Sequence, residues 1–312
     1  MAQPDVSLET VSALLAGEVP GPIRDLEPLL GGSVGRAFGF TSAGEAFVIR
    51  FNWRTLGGFG KEETIERLLA GSVSGGGVPF PHLVKTGHVQ AYDWAISVRL
   101  PGSGFEIDAA ALMALLPSLF ATLDAIHAAD LTGTTGYGGF DATGVGRDPN
   151  WHAHVRSVRE DGPEGGYFPS WETLFATTVL DRATIDALMR TVEATLPFCP
   201  EDRQLVHGDF GFDNVLVKDG QVSGVIDWLN ARFGDGLYDV AWLDFWPDPP
   251  LGIAGEYIAW KAAQGAPLLH AAERIRCYQA MIAVDSLRFF ANANLVDAYH
   301  WLSGRILHLM TA

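Results

Sequence analysis

The sequence of 312 residues contains few cysteines and few positive charges. Its two cysteines, Cys199 and Cys277, fit neither a disulfide framework nor a metal motif. Lysine and arginine number 21 against 37 aspartate and glutamate residues, which gives a formal net charge of -16. Such a charge disfavours nucleic acid and anionic membrane surfaces as partners, while it attracts cationic ligands. The same charge is equally consistent with solubility alone.

Long apolar runs are missing as well. No stretch approaches the roughly 18 consecutive apolar residues of a membrane span, and residues 1–8 lack the basic start and apolar run of a signal peptide. Hydrophobic residues make up 48% and charged residues 19% of the chain, which is typical of a globular protein. We therefore expect a soluble cytoplasmic protein that is a monomer or a weak dimer.

The first hundred residues alternate short apolar runs with glycines and small polar residues. This pattern predicts antiparallel strands at 23–30, 36–41, 45–52, 83–89 and 94–100. Helices are predicted at 7–16, where Ser7 is the expected N-cap, and at 61–70, followed by a flexible break at 71–77. The N-terminal part of the chain is therefore expected to be mostly sheet.

Helical spacing dominates after Pro101 and Gly102. Helices are predicted at 109–128, at 181–196 with Asp181 as the N-cap, and from residue 237 to the C-terminus. A short region of strand and loop separates them between residues 207 and 228. We therefore predict an α+β fold with an N-terminal antiparallel sheet lobe at residues 1–100 and a larger helical lobe at residues 101–312.

The most informative stretch is a tight polar loop between two apolar runs. It reads LVHGDFGFDNVLV over residues 205–217, and the next apolar run ends in Asp227. Two adjacent short strands would bring Asn214 and Asp227 together near Asp209. Because amide and carboxylate oxygens are hard ligands, this pair suits Mg²⁺. The Asp209 carboxylate is then left to meet a substrate hydroxyl.

This order of residues is the one that phosphoryl transfer requires. The reaction needs an in-line hydroxyl, metal ions that neutralise phosphate charge, and a group that orients the nucleophile. His207 and Asp209, followed by Asn214 and Asp227, supply that set. We predict Asp209 as the catalytic residue, with Asn214 and Asp227 as magnesium ligands. The alternative, a capped loop with surface aspartates, is disfavoured because the whole string lies between apolar runs.

The motif resembles the signature of the aminoglycoside phosphotransferases and their kinase-fold relatives. HGDFGFDN at 207–214 and VIDW at 225–228 carry the resemblance, and similar stretches occur at 46–52, 123–140 and 225–241. The resemblance implies a bilobal protein-kinase-like fold with ATP, or alternatively GTP, bound between the lobes. It also implies transfer of the γ-phosphate to a hydroxyl of a small cationic aminoglycoside, with hygromycin B as the expected acceptor, and hence antibiotic resistance.

Two backbone segments are assigned to the nucleotide by this resemblance. The glycine-rich segment 30–36, which includes Ser33, matches a loop that covers phosphates, although a plain hairpin is an equal alternative. Ser97, Val98 and Leu100 lie in the segment that matches the family's hinge, where backbone groups hold adenine. We therefore expect these four residues to contact the nucleotide.

A cation and its acidic partner are also expected near the phosphates. Arg50 stands where kinases carry a phosphate-binding lysine, and Lys61 is the other cation nearby. Arginine remains cationic and can bind phosphate oxygens in a fork, although it is not interchangeable with lysine. Glu62 and Glu66 share a face of the following predicted helix, and we expect Glu66 to pair with Arg50.

Candidates for contact with the acceptor lie around and after the catalytic motif: Asp213, Asn230, Asp235, Asp244 and Trp246. A role in bracing the catalytic loop competes with substrate contact for Asp235. Asp239 is expected to start the helix that follows, where an acid meets the helix dipole favourably. A place in the helix core is the alternative for Trp246.

Two rival functions remain open at this point. A metabolic kinase of the same fold, acting on choline, a sugar or an amino-alcohol, would carry the same catalytic motif. Only the acceptor separates that enzyme from an aminoglycoside kinase. A nucleotide-binding regulator without catalysis is disfavoured, because Asp209, Asn214 and Asp227 are all present.

Overall fold

The computed structural model describes residues 3–29, 35–54, 58–71, 77–105, 109–163 and 165–311. It consists of two compact units, each made of several chain segments. The first unit comprises residues 1–135, 140–145 and 212–230, and the second comprises 136–139, 146–211 and 231–312. The predicted flexible break falls largely on residues 72–76, which lie outside the described residues.

The first unit contains a five-stranded antiparallel sheet and two helices that precede or interrupt it. The strands, in the spatial order β1-β2-β3-β5-β4, are β1 (Arg24–Leu29), β2 (Arg36–Ser42), β3 (Glu45–Trp53), β4 (Leu83–Val89) and β5 (Tyr92–Val98). Helix α1 (Leu8–Glu18) precedes the sheet, and α2 (Gly60–Ala70) connects β3 to β4. Buried apolar residues of α1, including Val11 and Leu15, pack with Phe38, Ile49 and Phe51 from the sheet.

A second, three-stranded sheet belongs to the same unit. It consists of β6 (Ser103–Gly104), β10 (Val215–Lys218) and β11 (Gln221–Val225), with β10 in the centre, and α3 (Ala109–His127) packs against β11. These contacts extend the first unit well past residue 100, because β6 and α3 bind the hairpin that carries the sequence motif. The predicted division into lobes at residue 100 does not coincide with this division and stays a prediction.

The second unit combines a small sheet with seven helices among the described residues. Its strands, in the order β8-β7-β12-β9, are β7 (Tyr137–Phe140), β8 (Gly146–Asp148), β9 (Gln204–Val206) and β12 (Arg232–Gly234). Its helices are α4 (Trp151–Ser157), α5 (Trp171–Thr177), α6 (Arg182–Thr195), α7 (Leu237–Phe245), α8 (Ile253–Ala263), α9 (Ala271–Asn292) and α10 (Val296–Thr311). Helix α9 lies at the centre and packs against α6, α7 and α10.

The predicted elements agree with the structure to within a few residues at their ends. The Ser7 hydroxyl caps α1 by accepting from the Thr10 N–H at 3.2 Å, and the Asp181 carboxylate caps α6 by accepting from the Thr184 N–H at 2.7 Å. The expected α+β composition is therefore confirmed. No helix in the described ranges is both long enough and apolar enough to cross a bilayer.

Candidate active site

The loop that follows β9 is held by the carboxylate of Asp239. Its Oδ2 accepts a hydrogen bond from the His207 N–H at 2.9 Å, and its Oδ1 accepts from the Gly208 N–H at 2.8 Å. Asp239 has no exposed surface, so water does not compete for these bonds. Gly208 has a φ of +82°, in the left-handed region that favours glycine. Asp239 therefore fixes the backbone from which the next residue, Asp209, extends.

Asp209 itself is half-buried, between buried neighbours on both sides. Its N–H donates to Nδ1 of His207 at 3.3 Å, and its carbonyl oxygen accepts from the Gly211 N–H at 2.9 Å. The His207 ring is fully buried and packs edge-on against Phe210, with ring centroids 5.8 Å apart. The loop thus holds the main chain of Asp209 firmly and leaves part of the residue open to solvent.

Asp235 forms a buried ion pair and does not brace the loop. Its carboxylate accepts from Nε and Nη2 of Arg274 at 2.9 and 2.6 Å and from the Tyr278 hydroxyl at 2.5 Å. It also accepts from the Leu237 N–H at 3.1 Å, at the start of α7. The expectation that Asp235 braces the loop or contacts the acceptor is therefore wrong, because its buried oxygens are already occupied. Asp239 braces the loop instead, from the first turn of α7.

Asn214 and Asp227 lie at the open end of the β10–β11 hairpin in the first unit. Val215 pairs with Val225, and the Ile226 N–H donates to the Asn214 carbonyl oxygen at 3.0 Å, which extends the ladder by one residue. The side chain of Asn214 is buried, whereas Asp227 is exposed and has a φ of +59°. Aspartate and asparagine tolerate this left-handed region better than most residues.

The chemistry of this pair fits a magnesium ion. One amide oxygen and one carboxylate oxygen are hard donors, and Mg²⁺ in proteins usually takes one or two carboxylates and completes its shell with water and phosphate oxygens. Asn214 and Asp227 lie at the same end of the hairpin, as the sequence predicts. The motif as a whole is divided between the units, because Asp209 belongs to the second unit and the other two residues belong to the first.

Arg50 on β3 pairs with Glu62 on α2, not with Glu66. The two guanidinium nitrogens Nη1 and Nη2 donate to the two carboxylate oxygens of Glu62 at 2.9 and 2.5 Å. Glu66 instead contacts the ring of His82 and accepts from the Leu83 N–H at 3.3 Å. The prediction of Glu66 as the partner is therefore wrong, because Glu62 lies one helical turn closer to β3 and Glu66 lies over β4.

Lys61 ties α2 to the segment that follows Asp227. Its Nζ donates to the Leu229 carbonyl oxygen at 2.7 Å and lies 4.8 Å from the centroid of the Phe140 ring. Lys61 is therefore engaged with protein groups in the first unit. Asn230, the next residue after Leu229, has an exposed side chain.

The predicted hinge lies at the end of β5. Ser97 is buried between β3 and β4, and the Val98 N–H donates to the His82 carbonyl oxygen at 2.9 Å. Leu100 is half-buried, and its backbone makes no hydrogen bond within the described residues. Among the predicted hinge residues, Leu100 therefore has a backbone N–H and a backbone carbonyl that form no hydrogen bond with the described residues. Ser33 lies outside the described residues.

Comparisons with known proteins agree with this geometry. The sequence pattern of the phosphotransferase enzyme family matches residues 25–276. The chain belongs to this family. It is 31% identical to hygromycin-B 4-O-kinase of Escherichia coli over 310 residues, which cover 98% of this chain and 86% of that protein.

Solved structures of phosphotransferases have the same fold. A thermostable mutant of aminoglycoside phosphotransferase APH(4)-Ia, in a ternary complex with AMP-PNP and hygromycin B, matches with a TM-score of 0.79 at 30% identity. The match covers 95% of this chain and 96% of that one. Macrolide 2'-phosphotransferase MphH from Brachybacterium faecium matches with a TM-score of 0.61 at 20% identity, over 95% and 97% of the two chains. The expected kinase-like fold is thus confirmed.

The remaining acceptor candidates of this phosphotransferase are open to solvent to different degrees. Asp213 in the first unit is exposed, and Asp244 and Trp246 in the second unit are half-buried. The Asp244 carboxylate accepts from the Ala254 N–H and from Nε2 of Gln279, both at 3.2 Å, and so links α7 to α8 and α9. Their contact with an acceptor stays a prediction.

One cation of the phosphotransferase was not singled out by the sequence. Arg232 on β12 has its Nη1 3.3 Å from Nε2 of His154, and its guanidinium lies 4.7 Å from the ring centroid of Tyr238. Nδ1 of His154 lies 2.7 Å from Oδ2 of Asp148. Burial lowers the pKa of His154 to about 4, so the neutral ring donates to Asp148 and accepts from Arg232. The buried histidine therefore holds Arg232 in place.

Proposed function

We propose that this phosphotransferase transfers the γ-phosphate of ATP to a hydroxyl of an aminoglycoside in a magnesium-dependent reaction. The observation that carries the proposal is the catalytic loop, in which buried Asp239 fixes the backbone and Asp209 stays half-open to solvent. The identity of 31% to a hygromycin-B 4-O-kinase over 98% of the chain supports hygromycin B as the first acceptor to test.

In this proposal the Asp209 carboxylate receives the acceptor hydroxyl. It accepts the hydrogen bond of the hydroxyl, aims the oxygen at the γ-phosphate and takes the proton as the new O–P bond forms. The bond between the γ-phosphorus and the β–γ bridging oxygen breaks in the same step, and ADP leaves with that oxygen. Positioned bases of this kind contribute roughly 10²–10⁴-fold to a rate. The hydrogen bonds at 2.8 and 2.9 Å to Asp239 support this role, because they keep the loop in one conformation.

The first unit supplies the groups for the nucleotide. Asn214 and Asp227 would hold Mg²⁺, which when bound neutralises charge on the phosphate oxygens. Arg50 is oriented by Glu62 and keeps 24% of its side chain exposed, which leaves it accessible to a phosphate. The free backbone donor and acceptor of Leu100 suit the edge of an adenine or guanine ring.

The net charge of -16 also favours a polycationic acceptor. A negative potential raises the local concentration of cations, and its effect on capture falls as the ionic strength rises. We therefore expect the kcat/KM for an aminoglycoside to decrease with added salt more steeply than the kcat/KM for a neutral acceptor.

A panel of acceptors tests the proposal. Nucleotide consumption would be measured with hygromycin B, other aminoglycosides, choline and homoserine, with and without Mg²⁺, and the protein would be expressed in a sensitive bacterium. We expect stimulation by an aminoglycoside, protection of the cells, and a turnover roughly 10²–10⁴-fold lower in Asp209→Ala. Asp202→Ala, a change at an exposed acid in the same unit, is the matched control. Stimulation by a metabolite alone would overturn the acceptor class.

A further inference from the structure

Asp148 and His154 form a buried chain of hydrogen bonds that ends on Arg232. The exposed fraction of the side chain is 13% for Asp148 and 5% for His154. Nδ1 of His154 donates to Asp148 at 2.7 Å, and Nε2 of His154 accepts from Nη1 of Arg232 at 3.3 Å. The His154 ring also stacks on the Trp151 ring, with centroids 5.1 Å apart. A buried ring that is fixed by its neighbours therefore sets the direction of the arginine.

Arg232 lies on the strand next to the one that leads into the catalytic loop. Strand β12 pairs with β9, and Arg232 is opposite Val206, the residue immediately before His207. Residues directly opposite each other on antiparallel strands share one face of the sheet. The arginine side chain therefore leaves the sheet on the same face as Val206, one residue from the start of the loop.

The guanidinium of Arg232 also contacts the first turn of α7, which holds the loop. Its carbon Cζ lies 4.7 Å from the ring centroid of the buried Tyr238. The next residue on α7, Asp239, accepts the hydrogen bonds of the His207 and Gly208 N–H groups. Arg232 is thus connected to the catalytic loop twice, through the strand pair and through α7.

The catalytic loop brings two acidic side chains together without a lysine or arginine of its own. Residues 207–211 read HGDFG. Asp239 has no exposed surface, and its oxygens bind the N–H groups of the two residues that precede Asp209. Neighbouring like charges disfavour the ionised form of each carboxyl, and the repulsion is stronger where protein excludes water. A fixed positive charge beside the loop therefore stabilises an ionised Asp209.

The Tyr238 hydroxyl is affected by the same charges. Burial raises the pKa of Tyr238 to about 12, Arg232 opposes this rise, and Asp239 and Asp209 add to it. One buried hydroxyl is thus influenced by the arginine and by both acids of the loop, in agreement with the strand register and the ring contact.

We propose that Arg232 is a positioning residue of the transfer reaction, which offsets the negative charge of Asp239 and Asp209 and keeps the Asp209 carboxylate where it receives the acceptor hydroxyl. This inference rests on the proposed function and gives a role to a residue outside the sequence motif. His154 acts through Arg232, because its Nε2 accepts one N–H of the guanidinium and so fixes the plane of that group.

The neutral state of His154 makes this arrangement possible. Burial lowers the pKa of His154 to about 4, although the hydrogen bond to Asp148 acts in the opposite direction. A protonated ring would carry an N–H on both nitrogens and would repel the guanidinium. In the neutral ring, the bond to Asp148 keeps the proton on Nδ1 and leaves Nε2 as an acceptor. Rigid placement matters, because a shift of about 1 Å in a reacting group can cost about 10²-fold in rate.

The test compares Arg232→Met, which removes the charge and keeps much of the side-chain length, with Arg232→Lys, which keeps the charge. For Arg232→Met we expect kcat with hygromycin B to fall about 10- to 100-fold. The KM for ATP should change little, because the groups assigned to the nucleotide belong to the first unit. Arg232→Lys should restore part of kcat.

The matched control is Arg203→Met, at the opposite end of β9. Arg203 is also a half-buried arginine, and its guanidinium lies 4.8 Å from the ring centroid of Phe233 on β12. Its Nε donates to the Gly136 carbonyl oxygen at 2.7 Å. Arg203→Met should therefore lower the melting temperature and retain the wild-type kcat.

A double-mutant cycle separates the positioning role from a structural one. His154→Phe keeps a ring against Trp151 and removes the hydrogen bond to Arg232, so kcat should fall less than in Arg232→Met. The variant with both substitutions should have the kcat of Arg232→Met alone, because the aromatic ring then has no guanidinium left to orient. Losses of kcat that multiply in the double variant would overturn the inference that His154 acts through Arg232.

Melting temperatures of all variants are measured by circular dichroism, and the kinetics are run well below the lowest of them. A wild-type kcat in Arg232→Met, or equal losses of kcat in Arg232→Met and Arg203→Met, would overturn this inference alone. A wild type that phosphorylates a metabolite and no aminoglycoside would overturn the proposed acceptor, and the same variants would then test Arg232 with that metabolite. A wild type without any kinase activity would overturn both.

Discussion

The Arg50–Glu62 pair in the first unit and the Arg274–Asp235 pair in the second unit are both bidentate, and they differ in their surroundings. Arg50 and Glu62 in the first unit keep 24% and 13% of their side chains exposed. Arg274 and Asp235 in the second unit keep 10% and 1%. Asp235 accepts further hydrogen bonds from Tyr278 and from the start of α7, whereas the Glu62 carboxylate accepts hydrogen bonds only from Arg50 within the described residues.

The difference separates an ion pair that supports the fold from one that we propose to serve the nucleotide site. Burial alone would lower the pKa of Arg274, but the hydrogen bonds to Asp235 raise it above its ordinary value. A buried, fully bonded pair of this kind becomes costly when one partner is removed. A partly exposed pair contributes less to stability, which is consistent with the proposed role of Glu62 in orienting Arg50 toward a phosphate.

Breaking the buried pair should have the largest effect on stability. Asp235→Asn leaves the Arg274 guanidinium without its counter-charge and should lower the free energy of unfolding by about 3–5 kcal/mol. Chemical denaturation followed by circular dichroism measures this loss. The double change Asp235→Leu with Arg274→Met should recover part of it, because a buried pair replaced by apolar residues is often tolerated. Equal stability of the wild type and Asp235→Asn would contradict the comparison.

Removing the charge that holds the catalytic loop should have the next largest effect. Asp239→Asn replaces one oxygen that accepts from His207 or Gly208 by an amide group that cannot accept. The loss of a hydrogen bond to a charged group costs about 1.5–3 kcal/mol. We expect kcat to fall as well, since the Asp209 backbone is released, while Asp297→Asn, at an exposed position on α10, serves as the control. A stable variant with normal kcat would mean that the loop is held by other contacts.

Breaking the partly exposed pair of Arg50 and Glu62 should cost much less. Glu62→Gln is expected to lower the free energy of unfolding by about 1 kcal/mol or less and to raise the KM for nucleotide, since Arg50 loses its fixed orientation. Glu66→Gln is the matched change one helical turn away and should leave the KM for nucleotide unaltered. A larger rise in the KM for nucleotide in Glu66→Gln than in Glu62→Gln would favour Glu66, the partner expected from the sequence.

The smallest effect on stability is expected at Asp227. It is exposed, and asparagine also tolerates its φ of +59°, so Asp227→Asn should change the free energy of unfolding by less than about 0.5 kcal/mol. The same change removes the charge of a proposed metal ligand. Titration of Mg²⁺ at fixed nucleotide should therefore show activation shifted to higher concentrations. An unaltered magnesium dependence would remove Asp227 from the metal site.

Local patterns in the sequence predicted the elements and the order of the motif. The caps at Ser7 and Asp181 and the apolar periodicity of α6 depend on residues within one or two turns, so they can be read directly from neighbouring positions. The hairpin that places Asn214 and Asp227 at one end is also local, because a short turn joins its strands. The family resemblance then supplied the expected chemistry, and the match of residues 25–276 confirmed the family.

By itself, the sequence determined the strands of the five-stranded sheet, the long helices, the family and the order of the catalytic motif, because these depend on neighbouring residues. The strands β7, β8 and β12 and the short helices α4 and α5 were not predicted. Only the tertiary structure decided which carboxylate serves which partner. Asp239 and not Asp235 holds the loop 32 residues earlier, and Glu62 and not Glu66 meets Arg50. Pairing and desolvation depend on how distant elements pack, and helical or strand periodicity does not specify that packing.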